Sequence, residues 1–370
     1  MKKVLVVATL QKTIKGFLIP HIKKLEENGY EVWIATNCSE CLEIEELKDN
    51  NWINIEFSRN PFSIYSLQAL KQIKRLLSEE KFEFIHFHTP VAAFIGRVAA
   101  RFLKLKNITY TVHGFHFYDG APLLNWLLYY PLEYIAMRWT DKIITINQED
   151  FERAQKMAGS RTKVYKIDGV GLDLEKYSKG NREKVRKEFE LSEKDFIITT
   201  IGELNKNKNQ IQLIKAIEVL EPKFKALIVG VGNKEKELKS YVKNKKLKKR
   251  VLFLGFRKDI NDIIATSDVL VSMSYREGLP RNIMEGLAQG KPFVVTNIRG
   301  NRDIIIDNKN GYLVEVDDYG KTSEMIKKLG VGGNYRRIEK NNLKYAEKYS
   351  IKKILQNMEG IYNEGSISKS

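Results

Sequence analysis

Two doubly wound α/β domains in tandem are what this sequence predicts, and three observations carry that prediction. Short β-rich runs alternate with helical patterns almost throughout, the βαβ patterning of a parallel sheet covered by helices. The pattern restarts after a stretch near residue 170 that is rich in Gly, Asp and Lys. The chain has 370 residues, enough for two domains rather than one.

In chain order, VLVVATL (4–10) reads as a buried strand, FLIPHIKKLEENG as a helix stopped by Gly29, and EVWIAT as the next strand. FEFIHFH (82–88), ITYTVHG (108–114) and KIITIN (142–147) continue the series. KIDGVGLDLEKYSKGNREK is the linker. Beyond it FIITTIGEL (196–204), ALIVGVG (226–232), VLFLG (251–255), VLVSMS (269–274) and PFVVTN (292–297) repeat the strand pattern before helices. The stretch Asn341 to Ile361 is helical, and a helix over about 345–362 is expected to pack back on the first domain. Domains at 1–170 and 171–344 follow. In such sheets ligands sit outside the carboxyl ends of the strands, so the chemistry is expected there, facing a central cleft.

Composition narrows the class. Apolar residues at 43% and charged residues at 29% are those of a soluble globular protein. MKKVLVVATL turns polar too soon for a signal peptide, and no run approaches the roughly 18 apolar residues of a membrane span. A cytoplasmic chain is expected. Cys38 and Cys41 form a lone CxxC with no second pair and no His close in sequence, so a zinc or redox site is not favoured. The formal charge of +17 raises the question of nucleic acid. Residues 201–250 carry fourteen Lys/Arg against five Asp/Glu, mostly in patterns of solvated helix faces and turns. No RNP signature, zinc finger or interleaved aromatic-basic pattern accompanies them, so no nucleic acid is expected. An anionic lipid surface or an anionic small substrate explains the charge at least as well.

The stretch SYREGLPRNIMEGLAQGKP places Glu277 in a strand-to-helix turn and Glu285 early in the following helix. Pro280 is expected as the first helical residue, and Gly290 with Pro292 ends the helix. The amides of Gly278 and Leu279, aligned with the helix dipole, suit a phosphate. A carboxylate at Glu285 can accept two hydrogen bonds from a vicinal diol such as ribose, and Glu277 can hold sugar hydroxyls or a developing positive charge. Either Glu alone reads as an ordinary surface carboxylate; the glycines and prolines in register reverse that. GVGNKE lacks the third glycine of a dinucleotide fingerprint. Asp317 and Asp318 read as solvated loop carboxylates, and no metal is expected. His86 and His88 lie two apart on one strand face, suiting strand-end packing as well as acceptor contact.

SYREGLPRNIMEGLAQGKPFVVT resembles the E-x7-E signature of the family 4 glycosyltransferases, retaining enzymes of the GT-B fold, and the similarity runs over nearly the whole chain. It includes HGFHF, DGVGLDLEKY, IGELNKNKN, LIVGVGNKEKEL, VLFLGF and GNRDIIIDNKNGYLV. HGFHFYDGAPLLNWLLYYPLE and GELNKNKN are similar to the bacterial exopolysaccharide and capsule branch. The resemblance implies that Glu285 binds the ribose of a nucleotide-sugar and Glu277 the donor sugar. Lys208 matches the phosphate-binding lysine, and Gly16 a glycine that lets backbone approach donor and acceptor. His113 matches the histidine that contacts the donor sugar near the reacting carbon, with His116 either its partner or loop surface. Gly230 and Gly232 begin the turn beside the nucleotide, Phe256 and Arg257 border the base, and Gly202 and Asn282 fall among the donor-side positions. One departure is Glu203, in GEL, where the family commonly has arginine; Lys208, Arg281 or Arg299 must then do more.

A retaining sugar transfer from a UDP-sugar to a growing polyprenyl-diphosphate-linked glycan is the implied activity, in capsule or exopolysaccharide synthesis, without a cofactor. The rivals are a nucleotide-sugar epimerase of the same architecture and a catalytically idle nucleotide-sugar-binding protein. GAPLLNWLLYYPLEYIAMRW (120–139), interrupted by Pro131, is either a core helix or a surface element whose Leu123, Leu124, Trp126 and Leu127 dip into a membrane. In the second case the protein is peripheral on the inner face of an anionic membrane.

Overall fold

The computed structural model describes residues 1–58, 63, 65–331 and 335–364. Two compact units divide the chain: Met1–Gly171 with the helix Ile351–Asn363, and Leu172–Ser350.

The first unit is a seven-stranded parallel sheet. Its strands are β1 (Lys2–Leu10), β2 (Tyr30–Asn37), β3 (Asn51–Asn54), β4 (Phe84–His88), β5 (Ile108–Val112), β6 (Lys142–Thr145) and β7 (Lys163–Lys166). They lie in the order β3-β2-β1-β4-β5-β6-β7. The second unit has six parallel strands: β8 (Phe196–Ile201), β9 (Phe224–Val229), β10 (Val251–Gly255), β11 (Val269–Ser272), β12 (Phe293–Thr296) and β13 (Tyr312–Val314). Their order is β10-β9-β8-β11-β12-β13. Central strands such as β4, β5 and β11 are buried along their whole length, as a parallel sheet covered on both faces requires.

The structure departs from the sequence expectations at several elements. β3, β7 and β13 were not expected: each is a sheet edge of three or four residues, and NWIN and KVYK are exposed at both ends, so no apolar run marks them. The segment after β1 that carries Gly16 is helical from Gln11 onward, ahead of the expected helix start at Phe17, and includes a π-turn over Ile14–Leu18. The expected single helix near the end is two, Tyr335–Ala346 and Ile351–Asn363, which belong to different units. Pro131 does not break its segment: one helix runs Leu123–Met137 through it. The proline withholds only the bond that would go to the carbonyl of exposed Leu127, four residues back.

That helix is anchored by a buried ion pair. Arg97 NH2 lies 2.8 Å from Glu133 Oε2, its Nε donates to the Ala93 carbonyl at 2.9 Å, and its guanidinium sits 4.3 Å from the Tyr110 ring centroid. Arg97 is fully buried. Glu133→Ala therefore strands a cation in the core and is expected to cost about 3–5 kcal/mol in chemical denaturation. Arg97→Met with Glu133→Leu should recover most of that loss; failure of the pair to recover would place the penalty in packing instead of charge.

Candidate functional site

In the second unit the strand order reverses between β8 and β11, which pair in parallel through Val269 opposite Ile198. Connections leave such a junction toward opposite faces, and a crevice opens at the carboxyl ends of the two strands. The loop after β8 carries Gly202, Glu203 and Lys208; the loop after β11 carries Ser274, Glu277, Gly278 and Leu279. Lys208 Nζ lies 2.5 Å from Glu277 Oε1, which also accepts from Ser274 Oγ at 2.6 Å. Backbone ties hold the loops in register. Asn207 Nδ2 donates to the Arg276 carbonyl at 3.0 Å, and Tyr275 N–H donates to the Asn207 carbonyl at 2.8 Å. Arg299 Nε donates to the Glu277 carbonyl at 3.2 Å.

Glu285 sits in the helix Arg281–Ala288 and is only 9% exposed. It accepts from Arg281 Nε at 3.1 Å and bonds the Tyr177 hydroxyl. Burial pushes its carboxyl above the usual range, against the pull of Arg281. Asn282 Nδ2 donates to the Ile201 carbonyl at 2.8 Å and so pins the start of this helix to the end of β8. Pro280 is the N-cap rather than the first helical residue, its ψ of 119° being extended. Leu279 packs part of its side chain on the core beneath the helix.

The remaining residues expected on the donor side stand at the neighbouring strand ends. A Cβ on Gly230 would lie 1.9 Å from the Gly202 carbonyl oxygen, and one on Gly232 2.3 Å from that of Leu204, so both turns need glycine to close on the β8 loop. Glu203 is exposed, and its carbonyl accepts from Gln210 Nε2 at 2.9 Å. Phe256, just past β10, is 72% exposed. Arg257 is committed inside the protein, bonding Glu188 and Asp259, and its hydrogen bonds pull Asp259 down to about 2.

The first unit reverses its order between β1 and β4. There Thr9 N–H and Oγ1 meet Thr89 Oγ1 at 2.9 and 2.6 Å, with Thr89 held at φ +65°. Beside them lies a cavity of about 230 Å³ lined by Leu10, Pro90, Val91, Phe94, His116 and Tyr129, among others. His116 stacks its ring 4.7 Å from Tyr129. Gly16 lies within the π-turn, where a Cβ would meet open space. Leu124 is 62% exposed, but Trp126 turns inward: its ring packs 5.7 Å from Phe117 and lies beneath the Arg153 guanidinium at 4.6 Å. Trp126 is therefore not on the outward face expected for it.

His113, just after β5, joins a buried cluster that sequence reading did not assemble. Its Nε2 lies 3.2 Å from His88 Nδ1, and the rings of His88 and His86 are 4.0 Å apart. His86 Nδ1 bonds the Tyr362 hydroxyl at 2.7 Å and its Nε2 bonds Thr111 Oγ1 at 2.7 Å. His21 Nε2 bonds the Val170 carbonyl at 2.7 Å. Burial lowers all four imidazoles, His113 to about 4. Among the described residues no group of three or more His, Cys, Asp or Glu is placed to hold a metal ion. Parity of His86 and His88 was the available signal; Tyr362, 276 positions away from His86, gave none.

Comparison with known proteins agrees across the chain. Residues 181–345 match the family described as glycosyl transferases group 1, and residues 3–147 match glycosyl transferase 4-like. The chain is 34% identical to the putative glycosyltransferase EpsD of Bacillus subtilis, over 98% of this chain and 96% of that one. It is 33% identical, over 70% of this chain and 69% of the other, to the Escherichia coli UDP-Gal:alpha-D-GlcNAc-diphosphoundecaprenol alpha-1,3-galactosyltransferase. The Anabaena protein HepE, solved with UDP and glucose, superposes with a TM-score of 0.80 at 20% identity, covering 98% of this chain and 100% of that one. The fold is GT-B, two doubly wound units in one chain.

The buried imidazoles make stability depend on pH. An unfolded histidine titrates near 6.5 and folded His113 near 4, so the folded state binds fewer protons between those values. Stability is complete above about pH 6.5 and falls as the pH drops toward 4, by about 3 kcal/mol from His113 alone. Denaturation midpoints measured from pH 7.5 to 4.5 should show this decline, and His113→Asn should shrink it. A flat profile would mean that the imidazoles are not buried neutral.

Proposed function

The chain belongs to the glycosyl transferase family, and on that premise we propose that it moves a sugar from a UDP-sugar, with retention, onto a polyprenyl-diphosphate-linked glycan during bacterial surface polysaccharide synthesis. The observation that carries the reading is the meeting of Lys208, Glu277 and Ser274 at the β8/β11 reversal, with buried Glu285 on the adjoining helix. Lys208 takes the leaving diphosphate; Glu285 takes the ribose diol; Glu277 takes sugar hydroxyls. His113, at the end of β5, serves the donor sugar near the reacting carbon. The names of the E. coli relative and of the HepE complex support a UDP-linked donor, and the first also supports a lipid-diphosphate acceptor.

In this reading the acceptor oxygen bonds the anomeric carbon as the carbon–oxygen bond to the diphosphate breaks. The acceptor proton passes to the departing phosphate oxygen on the same face, so no side-chain base is required. Rate enhancement then comes from stabilising the leaving diphosphate and from positioning the acceptor. Lys208 supplies the cation, and the reading needs no metal. An acceptor carried on a polyprenyl chain keeps the enzyme at the inner face of the membrane. The exposed Leu123, Leu124 and Leu127 suit that contact.

The ion pair sharpens the test. Glu277→Gln removes the carboxylate that neutralises Lys208, so UDP affinity should hold or rise several-fold while turnover collapses. Glu285→Ala should weaken UDP itself about tenfold or more, the scale of a lost hydrogen bond to a charged group. Calorimetric titration of UDP reads both, and release of UDP from a UDP-sugar panel with a polyprenyl-diphosphate-linked glycan reads turnover. Unchanged UDP affinity in Glu285→Ala would remove the ribose assignment. Release of epimerised UDP-sugar without an acceptor would overturn the transfer.

A further inference from the structure

A second concavity, of about 890 Å³, opens in the first unit at the edge opposite His113. Arg101 comes from the last turn of the helix Pro90–Phe102, and Lys104 and Lys106 from the loop leading into β5. Arg138 follows the helix Leu123–Met137, and Arg161 precedes β7. All of them therefore stand at the amino ends of β5, β6 and β7, where the family chemistry has no need of them. All five are exposed, and none forms an ion pair among the described residues. Elsewhere in the same unit Lys2, Lys3, Lys12, Lys48, Arg75 and Arg153 each pair with a carboxylate. The one acid in the concavity, Asp141, accepts the Ile108 N–H at 2.8 Å. Arg138 donates to the Tyr134 carbonyl and lies over the Tyr134 ring. Arg101, Lys104 and Arg138 sit at helix carboxyl ends, where the dipole alone would favour them; Lys106 and Arg161 have no such reason.

A second feature runs into the same groove. Along the helix Leu123–Met137 the exposed positions are Leu123, Leu124, Leu127, Leu128, Pro131, Tyr134 and Ile135; from Leu124 on they follow helical spacing, and the stripe ends on Arg138. Its other end is near His116, whose carbonyl accepts from Asn125 Nδ2 at 2.9 Å. At 1.5 Å per residue these 15 residues span about 22 Å. Trp139 lines the groove where stripe and cations meet. An apolar stripe with a cationic, Trp-lined end fits the interface of a bilayer, where leucine enters the acyl boundary and cations meet phosphate. A nucleic acid would leave the leucines unused.

We propose that this groove is a binding site for the phosphate headgroups of anionic phospholipid, and that it sets how the first unit lies on the membrane. The stripe lies in the interface plane, with the five cations at one end and the His116 cavity at the other. The proposal rests on the membrane-side reading of the acceptor, and its test uses neither donor nor acceptor, so the two can fail separately.

Flotation with vesicles of phosphatidylcholine, with and without phosphatidylglycerol, tests it. The wild-type protein should bind the phosphatidylglycerol vesicles, and salt should weaken binding. The variant Lys104→Gln/Lys106→Gln/Arg161→Gln should lose about a hundredfold, at about fivefold per cation near the surface. Lys246→Gln/Lys248→Gln/Lys249→Gln removes equal charge from the second unit and should change binding less than fivefold. Leu124→Ser/Leu127→Ser should weaken binding to both kinds of vesicle. Thermal unfolding confirms that each exposed-site variant is folded. Wild-type-like binding by the groove triple variant would overturn the site, as would equal losses in the two triple variants. Groove-dependent capture of single-stranded DNA, with no binding to vesicles, would overturn the lipid assignment.

Discussion

The reversal of strand order between β8 and β11 is the constraint on which the geometry of the candidate site in the second unit depends. A parallel sheet that winds outward in both directions from one pair of strands leaves the loops of that pair uncovered by connecting helices. Lys208 and Glu277 stand on those two loops, 69 residues apart in sequence and in contact at their side chains. Everything that sharpens their placement acts through the same junction. Gly230 and Gly232 let the β9 loop close on the β8 loop, and Asn282 ties the next helix to the last carbonyl of β8. The first unit repeats the device between β1 and β4, where Thr9 and Thr89 bridge the strand ends beside a cavity.

Charge is handled in two ways. At the β8/β11 junction cations are paired, Lys208 with Glu277 and Arg281 with Glu285, and past β10 Arg257 pairs with Glu188 and Asp259. A part-buried lysine without a counter-charge would suffer desolvation with nothing to offset it, and the carboxylate supplies that offset. At the amino ends of β5 to β7, Arg101, Lys104, Lys106, Arg138 and Arg161 are exposed and form no ion pair among the described residues. Water solvates them there, and an arriving polyanion meets them without first displacing a partner.

The histidines of the first unit show a third solution. His86 and His88 pack beside His113, and burial lowers the pKa of these three and of His21, with the other imidazoles lowering His86, His88 and His113 further. Their hydrogen bonds run from the Tyr362 hydroxyl to the edge of β5, so the last helix of the chain contributes to the placement of a residue at the carboxyl end of the sheet.

The sequence by itself determined the fold class and ten of the thirteen strands among the described residues. Alternating apolar runs and their Gly, Ser or Asn terminators are local signals, and local signals survive without tertiary context. Glu277, Glu285, Lys208 and His113 were legible because the turn and helix that carry them have their own punctuation. Tertiary structure alone decided which side chains meet. Ser274 and Lys208 share one oxygen of Glu277, Tyr177 reaches Glu285, Tyr362 closes the histidine cluster, and Trp126 turns into the core beside an exposed Leu124. The edge strands β3, β7 and β13 also waited on the sheet, since each pairs with a single neighbour and is placed only once that neighbour is formed. Contacts across 69 or 276 residues leave no periodic trace along the chain; they exist only once parallel pairing has brought the strand ends together.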